Sequence, residues 1–284
     1  MNDELIREVV DRVMARIRSA EASDAGAPVE TDDIPDVTDI DLRMQYLVDK
    51  PHDREAFMAL KEKTPARVGT GHAGARYKTA TMLRFAADHA MAQAAVFSDV
   101  DDAFLSRMGW PKFQSACASR DEFLTRPDLG RTFQPETLEA IRQYAGTGNR
   151  VALYVADGLS SSAVKANAAN ILPVVEKGLA GRGVTVCKPF FVRYGRVAAM
   201  DAIGEALQPE VVCVFLGERP GLVTAESMSA YIAYRPTVGM PESRRTVLAN
   251  IHKGGTPAVE AGAHLVDLIE EIIARQASGT GLPV

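Results

Sequence analysis

The chain has 284 residues, 46% of them hydrophobic, and a formal net charge of −5. This length and composition suit one large or two small domains with a full hydrophobic core, whereas the acidic balance argues against nucleic-acid binding, which needs a basic face. No apolar run approaches the about 18 residues of a membrane span, and the charged start MNDELIREVV lacks a signal-peptide core. Three widely spaced cysteines fit a reducing compartment. A cytoplasmic protein with neither nucleic acid nor membrane as partner is expected.

The first 20 residues have the pattern of an amphipathic helix, with apolar side chains at helical spacing and charges on the opposite face. The apolar positions are Leu5, Val9, Val10, Val13, Met14 and Ile17. Residues 21–42 follow with eight acids, two prolines and no lysine or arginine, a composition typical of a flexible linker. The tethered helix is expected either to pack back on the protein or to dock in a partner's groove.

Residues 43–148 are predicted to be mostly helical. Helical patterns cover PHDREAFMALKEKT, YKTATMLRFAADHAMAQAAVF and PETLEAIRQYA. Before the second of these, Gly69, Gly71 and Gly74 spell G-x-G-x-x-G, the spacing of a loop that binds the pyrophosphate of a dinucleotide. The preceding segment KEKTPARV is charged and contains Pro65, so no buried strand leads into the loop. A glycine-rich turn before a helix is favoured.

Residues 149–284 alternate continuous apolar runs with helical patterns. The apolar runs are VALYVA (151–156), VTVCKPFFVRY and VVCVFLG (211–217), and the last helix begins after Thr256-Pro257. This alternation predicts an α/β domain with a Rossmann-like parallel sheet and flanking helices. Because ligands of such sheets bind beyond the C-terminal ends of the strands, the segments of interest are DGLSSS (157–162), YGRV (194–197) and GERPGL (217–222).

No catalytic or metal-binding motif is complete in the sequence. The run GLSSS (158–162) lacks the second glycine of a nucleophile elbow, and helix capping explains its serines. The five histidines form no H-x-x-x-H or H-E-x-x-H pair, so neither a catalytic residue nor a metal site is predicted. The run NIHKGG (250–255) differs from the cobalt-ligating D-x-H-x-x-G because asparagine replaces the acid that orients the histidine. Ligation of cobalt by His252 is therefore not expected.

Six runs, in this order, resemble the small (light) subunit of ethanolamine ammonia-lyase. They are RVGTGHAGARYKTATMLRFAADHAMAQ, LTRPDLGR, VADGLSSSAV, KPFFVRYGRV, LGERPGL and NIHKGGTPAVEA. The resemblance implies a carbon–nitrogen lyase that uses base-on adenosylcobalamin and converts ethanolamine to acetaldehyde and ammonia by a radical mechanism. It also implies a hetero-oligomer with a TIM-barrel large subunit that holds the substrate. The cofactor then carries the chemistry, and no residue of this chain need act as acid, base or nucleophile.

The same resemblance implies three cofactor-binding positions. Val197 matches the valine that closes the family's Y-G-R-V run, and Glu218 matches the acid of G-E-R-P-G. The third position is a cysteine in the family's R-x-C-x-S-N-I run, where this chain has Val247. A carboxylate at position 218 can accept hydrogen bonds from the amides that rim the corrin; an ion pair to Arg219 or Arg244 is the alternative.

Two other classes of protein stay open on the residues alone. One is a stand-alone Rossmann oxidoreductase, which the missing strand before Gly69 opposes. The other is a non-catalytic Rossmann-like binding or scaffold module, which would stay folded without a partner. The resemblance further implies that residues 1–20 bind a shell protein and load the enzyme into a bacterial microcompartment within the cytoplasm.

Overall fold

The computed structural model describes residues 44–64 and 66–282. The predicted helix over residues 1–20 and the linker over residues 21–42 lie outside the described residues. The chain divides into two compact units, residues 1–69 and 70–284. The described part of the first unit contains helix α1 (Arg54–Lys61), which begins where the Asp53 carboxylate accepts a hydrogen bond from the Ala56 N–H at 2.9 Å.

The second unit contains both helices and strands. Its described helices are α2 (Thr79–Phe97), α3 (Asp102–Met108), α4 (Arg120–Thr125), α5 (Pro135–Ala145), α6 (Ser161–Gly181), α7 (Ala199–Leu207) and α8 (Ala258–Arg275). Its described strands are β1 (His72–Ala73), β2 (Arg76–Tyr77), β3 (Lys112–Gln114), β4 (Val151–Ala156), β5 (Phe190–Arg193), β6 (Val211–Gly217), β7 (Met228–Tyr234) and β8 (Thr246–Ile251). The predicted α/β class is confirmed.

A six-stranded sheet in the order β3–β5–β4–β6–β7–β8 forms the centre of this unit. The first four strands in that order are parallel, whereas β7 and β8 pair antiparallel. Both β4 and β6 are buried along their whole length, as continuous apolar runs between two helical layers should be. The sheet is thus mixed rather than wholly parallel, because two antiparallel strands extend the predicted parallel part.

Successive residues of a strand point to opposite sides of the sheet, and different helices pack on these two sides. Odd-numbered residues of β4 pack with α6 and α8, and its even-numbered residues pack with α5 and α7. Tyr231 of β7 packs against the second of these clusters. On β8, its cross-strand partner Val247 keeps 45% of its surface exposed. The face carrying α5 and α7 is therefore open near β8.

The backbones that follow β4 and β6 approach each other closely at one edge of the sheet. A Cβ on Gly217 would overlap the Ser160 carbonyl oxygen and lie 2.6 Å from that of Asp157. In the same place, the Leu159 N–H donates to the Gly217 carbonyl at 2.9 Å. Only glycine fits at position 217 without moving this edge of the sheet.

Substitution of Gly217 should therefore be costly. Gly217→Ala is expected to lower the free energy of unfolding by about 1–3 kcal/mol, since the new methyl group meets rigid backbone. Gly181→Ala is the matched control, because its Cβ would meet nothing within 4 Å and alanine favours a helix by roughly 0.5–1 kcal/mol. Urea unfolding of both variants makes the comparison; equal stabilities would contradict the close approach.

Candidate functional site

The three predicted cofactor-binding residues lie in three different segments of the second unit. Val197 belongs to the loop between β5 and α7, Glu218 directly follows β6, and Val247 is the second residue of β8. Tyr231 connects the last two, because it is the cross-strand partner of Val247 and its hydroxyl donates to Glu218 Oε1 at 2.7 Å. Val197 packs against the same hydrophobic cluster as Tyr231. The described structure thus links Glu218 to Val247 through Tyr231, and places Val197 against the same cluster as Tyr231.

The Glu218 carboxylate is partly buried and is held by a tyrosine rather than by an arginine. Within the described chain it makes no ion pair with Arg219 or Arg244, the alternative considered from the sequence. Burial first, and then the hydrogen bond to Glu218, raise the pKa of Tyr231, so its hydroxyl stays protonated as a donor. No described side chain donates to Glu218 Oε2, which leaves one carboxylate oxygen for a ligand.

Exposed apolar side chains lie in the loop that follows Glu218 and on β8. The loop from 218 to 227 begins at Glu218, whose N–H donates to the Ser227 carbonyl at 3.0 Å. Within that loop Leu222 and Val223 are 46% and 66% exposed, and Val247 is 45% exposed. The second unit thus has both exposed apolar side chains and a carboxylate oxygen with no described side-chain donor.

A buried acid follows β4 and holds the loop that carries Val197. Asp157 is 1% exposed, and its Oδ1 accepts the Tyr194 N–H at 2.7 Å. Tyr194 has a φ of 59°, a left-handed conformation that is strained for a tyrosine. Asp157 thus accepts a hydrogen bond from the backbone of a residue in a strained conformation and helps to hold it there. The sequence indicated this segment through the Asp-Gly after a buried run, but not its partner.

Arg120 donates hydrogen bonds to two acids, Asp157 and Asp99. Its Nη2 donates to Asp157 Oδ2 at 3.2 Å and to Asp99 Oδ1 at 2.7 Å. Arg193 donates to the other oxygen of Asp99 at 2.7 Å, and the Arg120 and Arg193 guanidinium groups lie 4.8 and 4.5 Å from the Tyr194 ring centre. This network could not be predicted from the sequence, because Asp99, Arg120, Asp157 and Arg193 are distant in sequence and belong to different segments.

A second buried ion pair fixes the start of β8. Arg245 Nη2 donates to Asp201 Oδ2 at 2.8 Å, and the two side chains are 2% and 6% exposed. Asp201 lies in the first turn of α7, four residues after Val197, and Arg245 precedes Val247 by two residues. Burial raises the pKa of Asp201, and Arg245 opposes that rise. This pair ties together the segments that carry Val197 and Val247.

The motifs rejected from the sequence have structural roles. Ser160 caps α6 by accepting the Ala163 N–H at 3.1 Å, as expected from capping rather than nucleophilic chemistry. His252 is engaged within its own loop: Nε2 lies 2.8 Å from Asn250 Oδ1, and Nδ1 accepts the Gly254 N–H at 3.1 Å. Among the described residues no group of three His, Cys, Asp or Glu could hold a metal ion.

The glycine-rich run has no strand before it in the described chain. All three of its glycines, Gly69, Gly71 and Gly74, have positive φ. The two-residue strands β1 and β2 form a short antiparallel pair around Gly74, and α2 begins shortly after, at Thr79. A turn before a helix, as predicted, is what the structure shows. No helix in the portion of the chain that the structure describes has the length and apolarity to cross a membrane.

The buried Asp157 should make stability depend on pH. Burial raises its pKa from 3.8 to about 6, against the opposing effects of Arg120 and the Tyr194 N–H. Since the folded state then holds the proton more tightly than the unfolded state, its contribution to stability is full below about pH 4 and is lost as pH rises through about 6. Asp157→Asn removes this titration.

Urea unfolding of the wild type and Asp157→Asn between about pH 4 and 7 measures the effect. The stability of the wild type relative to the variant is expected to fall by roughly 1–3 kcal/mol across this range. Asp99, Arg120 and Tyr194 face the carboxylate and Arg193 lies near it in both proteins, so their own titrations largely cancel in the difference. A difference that stays constant with pH would show that Asp157 does not titrate there.

Comparison with known proteins gives the family of this chain. The family model described as "Ethanolamine ammonia-lyase light chain (EutC)" matches residues 54–283. The small subunit of ethanolamine ammonia-lyase from Clostridium tetani is 54% identical over 282 residues, which cover 99% of this chain and 96% of that relative. The small subunits from Clostridium perfringens and Listeria monocytogenes are 53% and 46% identical, each over 99% of this chain and over 97% and 100% of the relative. The chain belongs to the ethanolamine ammonia-lyase small-subunit (light-chain) family.

Proposed function

We propose that this chain is the small subunit of an adenosylcobalamin-dependent ethanolamine ammonia-lyase, which converts ethanolamine to acetaldehyde and ammonia together with a TIM-barrel large subunit. Family membership over nearly the whole chain supports the activity. The observation that supports the role of this subunit is the carboxylate oxygen Oε2 of Glu218, to which no described side chain donates, together with the exposed Val247 on β8.

The residues at this surface fit a cobalamin. A corrin presents an apolar body and a rim of amide side chains, whose NH₂ groups donate hydrogen bonds. Glu218 Oε2 supplies an acceptor for one of these amides, since Oε1 already takes the Tyr231 hydroxyl. Val247, 45% exposed, and Val197 supply apolar contact. Where the family has cysteine, Val247 gives van der Waals contact without a thiol.

The cofactor, when bound, supplies radical chemistry through cleavage of its cobalt–carbon bond. The residues of this chain bind it, orient it and exclude water from the side they cover. His252 supports a base-on mode, because both of its ring nitrogens are engaged with its own loop. The segments that carry Val197 and Val247 are held by buried polar contacts, and Glu218 is held by the Tyr231 hydroxyl, which favours a surface that is ordered before the cofactor binds.

Reconstitution tests this function. The chain should be co-expressed with a large subunit of the same family, and acetaldehyde release measured with and without adenosylcobalamin. Turnover of ethanolamine is expected only when both chains and the cofactor are present. Turnover by this chain alone would contradict the proposal that both subunits are required. A stable complex without turnover would instead favour the scaffold interpretation.

The carboxylate of Glu218 should matter for cofactor affinity. In the two-subunit complex, Glu218→Ala is expected to raise the Kd of adenosylcobalamin about ten- to a hundredfold, the cost of one charge-assisted hydrogen bond. Glu226→Ala is the matched control, because Glu226 is an exposed glutamate near the end of the same loop. Equilibrium dialysis in the dark gives the Kd, and gel filtration checks assembly. Unchanged affinity in a normally assembled complex would refute the contact.

We further propose that residues 1–20, which lie outside the described residues, direct the enzyme to a microcompartment shell. An isolated helix of about 12–15 residues is only marginally stable in water, and the apolar stripe has about this length. A partner surface would therefore favour folding of the helix. Deleting them should leave catalysis intact and abolish encapsulation. A fluorescent protein carrying residues 1–20 should enter shells, and Val9→Glu with Val13→Glu should block entry. Loss of folding or activity on deletion would show that the segment belongs to the core.

A further inference from the structure

Tyr231 occupies a central position beneath the proposed cofactor surface. It lies on β7, which is paired on one side with β6 and on the other with β8. Its ring is partly buried against the cluster formed with α5 and α7. Strand pairing and ring packing therefore fix the place of its hydroxyl.

Glu218 has no such support of its own. It follows the last residue of β6 and begins the loop to β7, and a glutamate side chain has three rotatable bonds. Ordering such a side chain on binding reduces affinity, unless the free protein has already ordered it. The described contact that does so is the 2.7 Å hydrogen bond from the Tyr231 hydroxyl to Oε1.

We propose that Tyr231 is a positioning residue for the cofactor: it occupies Oε1 of Glu218 and so leaves Oε2 as the acceptor for an amide of the corrin. This inference rests on the proposed function. Tyr231 is also the cross-strand partner of Val247, so the two side chains lie on the same face of the sheet. Because burial raises the pKa of Tyr231, the hydroxyl remains a donor throughout the physiological range.

A double-mutant cycle tests the proposal on the two-subunit complex. The Kd of adenosylcobalamin is measured by equilibrium dialysis for the wild type, Tyr231→Phe, Glu218→Ala and the double variant. Tyr231→Phe keeps the ring and its packing and is expected to raise the Kd about three- to thirtyfold. In the Glu218→Ala background, the same substitution should change the Kd less than about twofold. Tyr234→Phe, on the same strand but packed against the opposite face, is the control and should bind as the wild type does.

The possible outcomes distinguish failure of the proposed Glu218–cofactor contact from failure of the positioning role of Tyr231. If Glu218→Ala leaves the Kd unchanged, the proposed cofactor contact is wrong, and the positioning role falls with it. If Glu218→Ala weakens binding but Tyr231→Phe does not, only the positioning role is wrong. An equal effect of Tyr231→Phe with and without Glu218 would also overturn it, because a purely structural tyrosine behaves in that way.

Glu218→Gln gives a second test that leaves Tyr231 untouched. Its amide oxygen can still accept the tyrosine hydroxyl, while the NH₂ group replaces the free acceptor with a donor. Cofactor binding should therefore fall as far as in Glu218→Ala, with the unfolding midpoint close to that of the wild type. Wild-type affinity in Glu218→Gln would overturn the assignment of Oε2.

Discussion

The structure depends on the burial of two adjacent strands, β4 and β6, between helical layers on both faces of the sheet. Each is a continuous apolar run with no exposed residue, and burial of such side chains is the main favourable term in folding. Since the two strands are parallel, the segments that follow them meet at one edge. There Gly217 lets the backbones approach closely, and Asp157 and Glu218 come next in the chain. Core packing thus decides where the polar residues lie.

Buried or partly buried polar contacts connect segments that are distant in sequence. Asp157 holds the Tyr194 backbone, Asp201 pairs with Arg245, and Tyr231 holds Glu218. Burying charge costs stability, as the raised pKa values of Asp157 and Asp201 indicate. These three contacts order the loop after β5, the start of β8 and the residue that follows β6. A surface that binds a large, rigid ligand needs such order in several segments.

Much of this could be predicted from the sequence where a pattern is local. The runs that became β4 and β6 were recognised, as was α5, because uninterrupted apolar residues and a proline at the first helical turn are strong signals. Strands β7 and β8 were missed. The first of them, MSAYIAY, has two alanines, which also suit a helix, and the second, TVLANI, is half exposed. Strand β3 has only three residues and lies in a section with helical patterns.

The cofactor-binding residues stay predictions. Val197, Glu218 and Val247 were proposed through the resemblance, and the structure puts Glu218 and Val247 around one tyrosine. Tyr231 itself could not be found, because no local pattern distinguishes a tyrosine that orients a carboxylate from one that only packs. The same holds for the Asp201–Arg245 pair, whose partners are 44 residues apart. Such contacts depend on how the strands pair. This pairing could not be predicted from the sequence, because β7 and β8 were not recognised as strands.

The central claim is that the face of β7 and β8, together with the end of β6, contacts the cofactor. A structure of the two-subunit complex with adenosylcobalamin bound tests it most directly. The account predicts a corrin amide nitrogen within about 2.7–3.2 Å of Glu218 Oε2, the Tyr231 hydroxyl still on Oε1, and the corrin in van der Waals contact with Val197 and Val247. A corrin seated elsewhere, with Glu218 facing solvent or bonded to the large subunit, would contradict it.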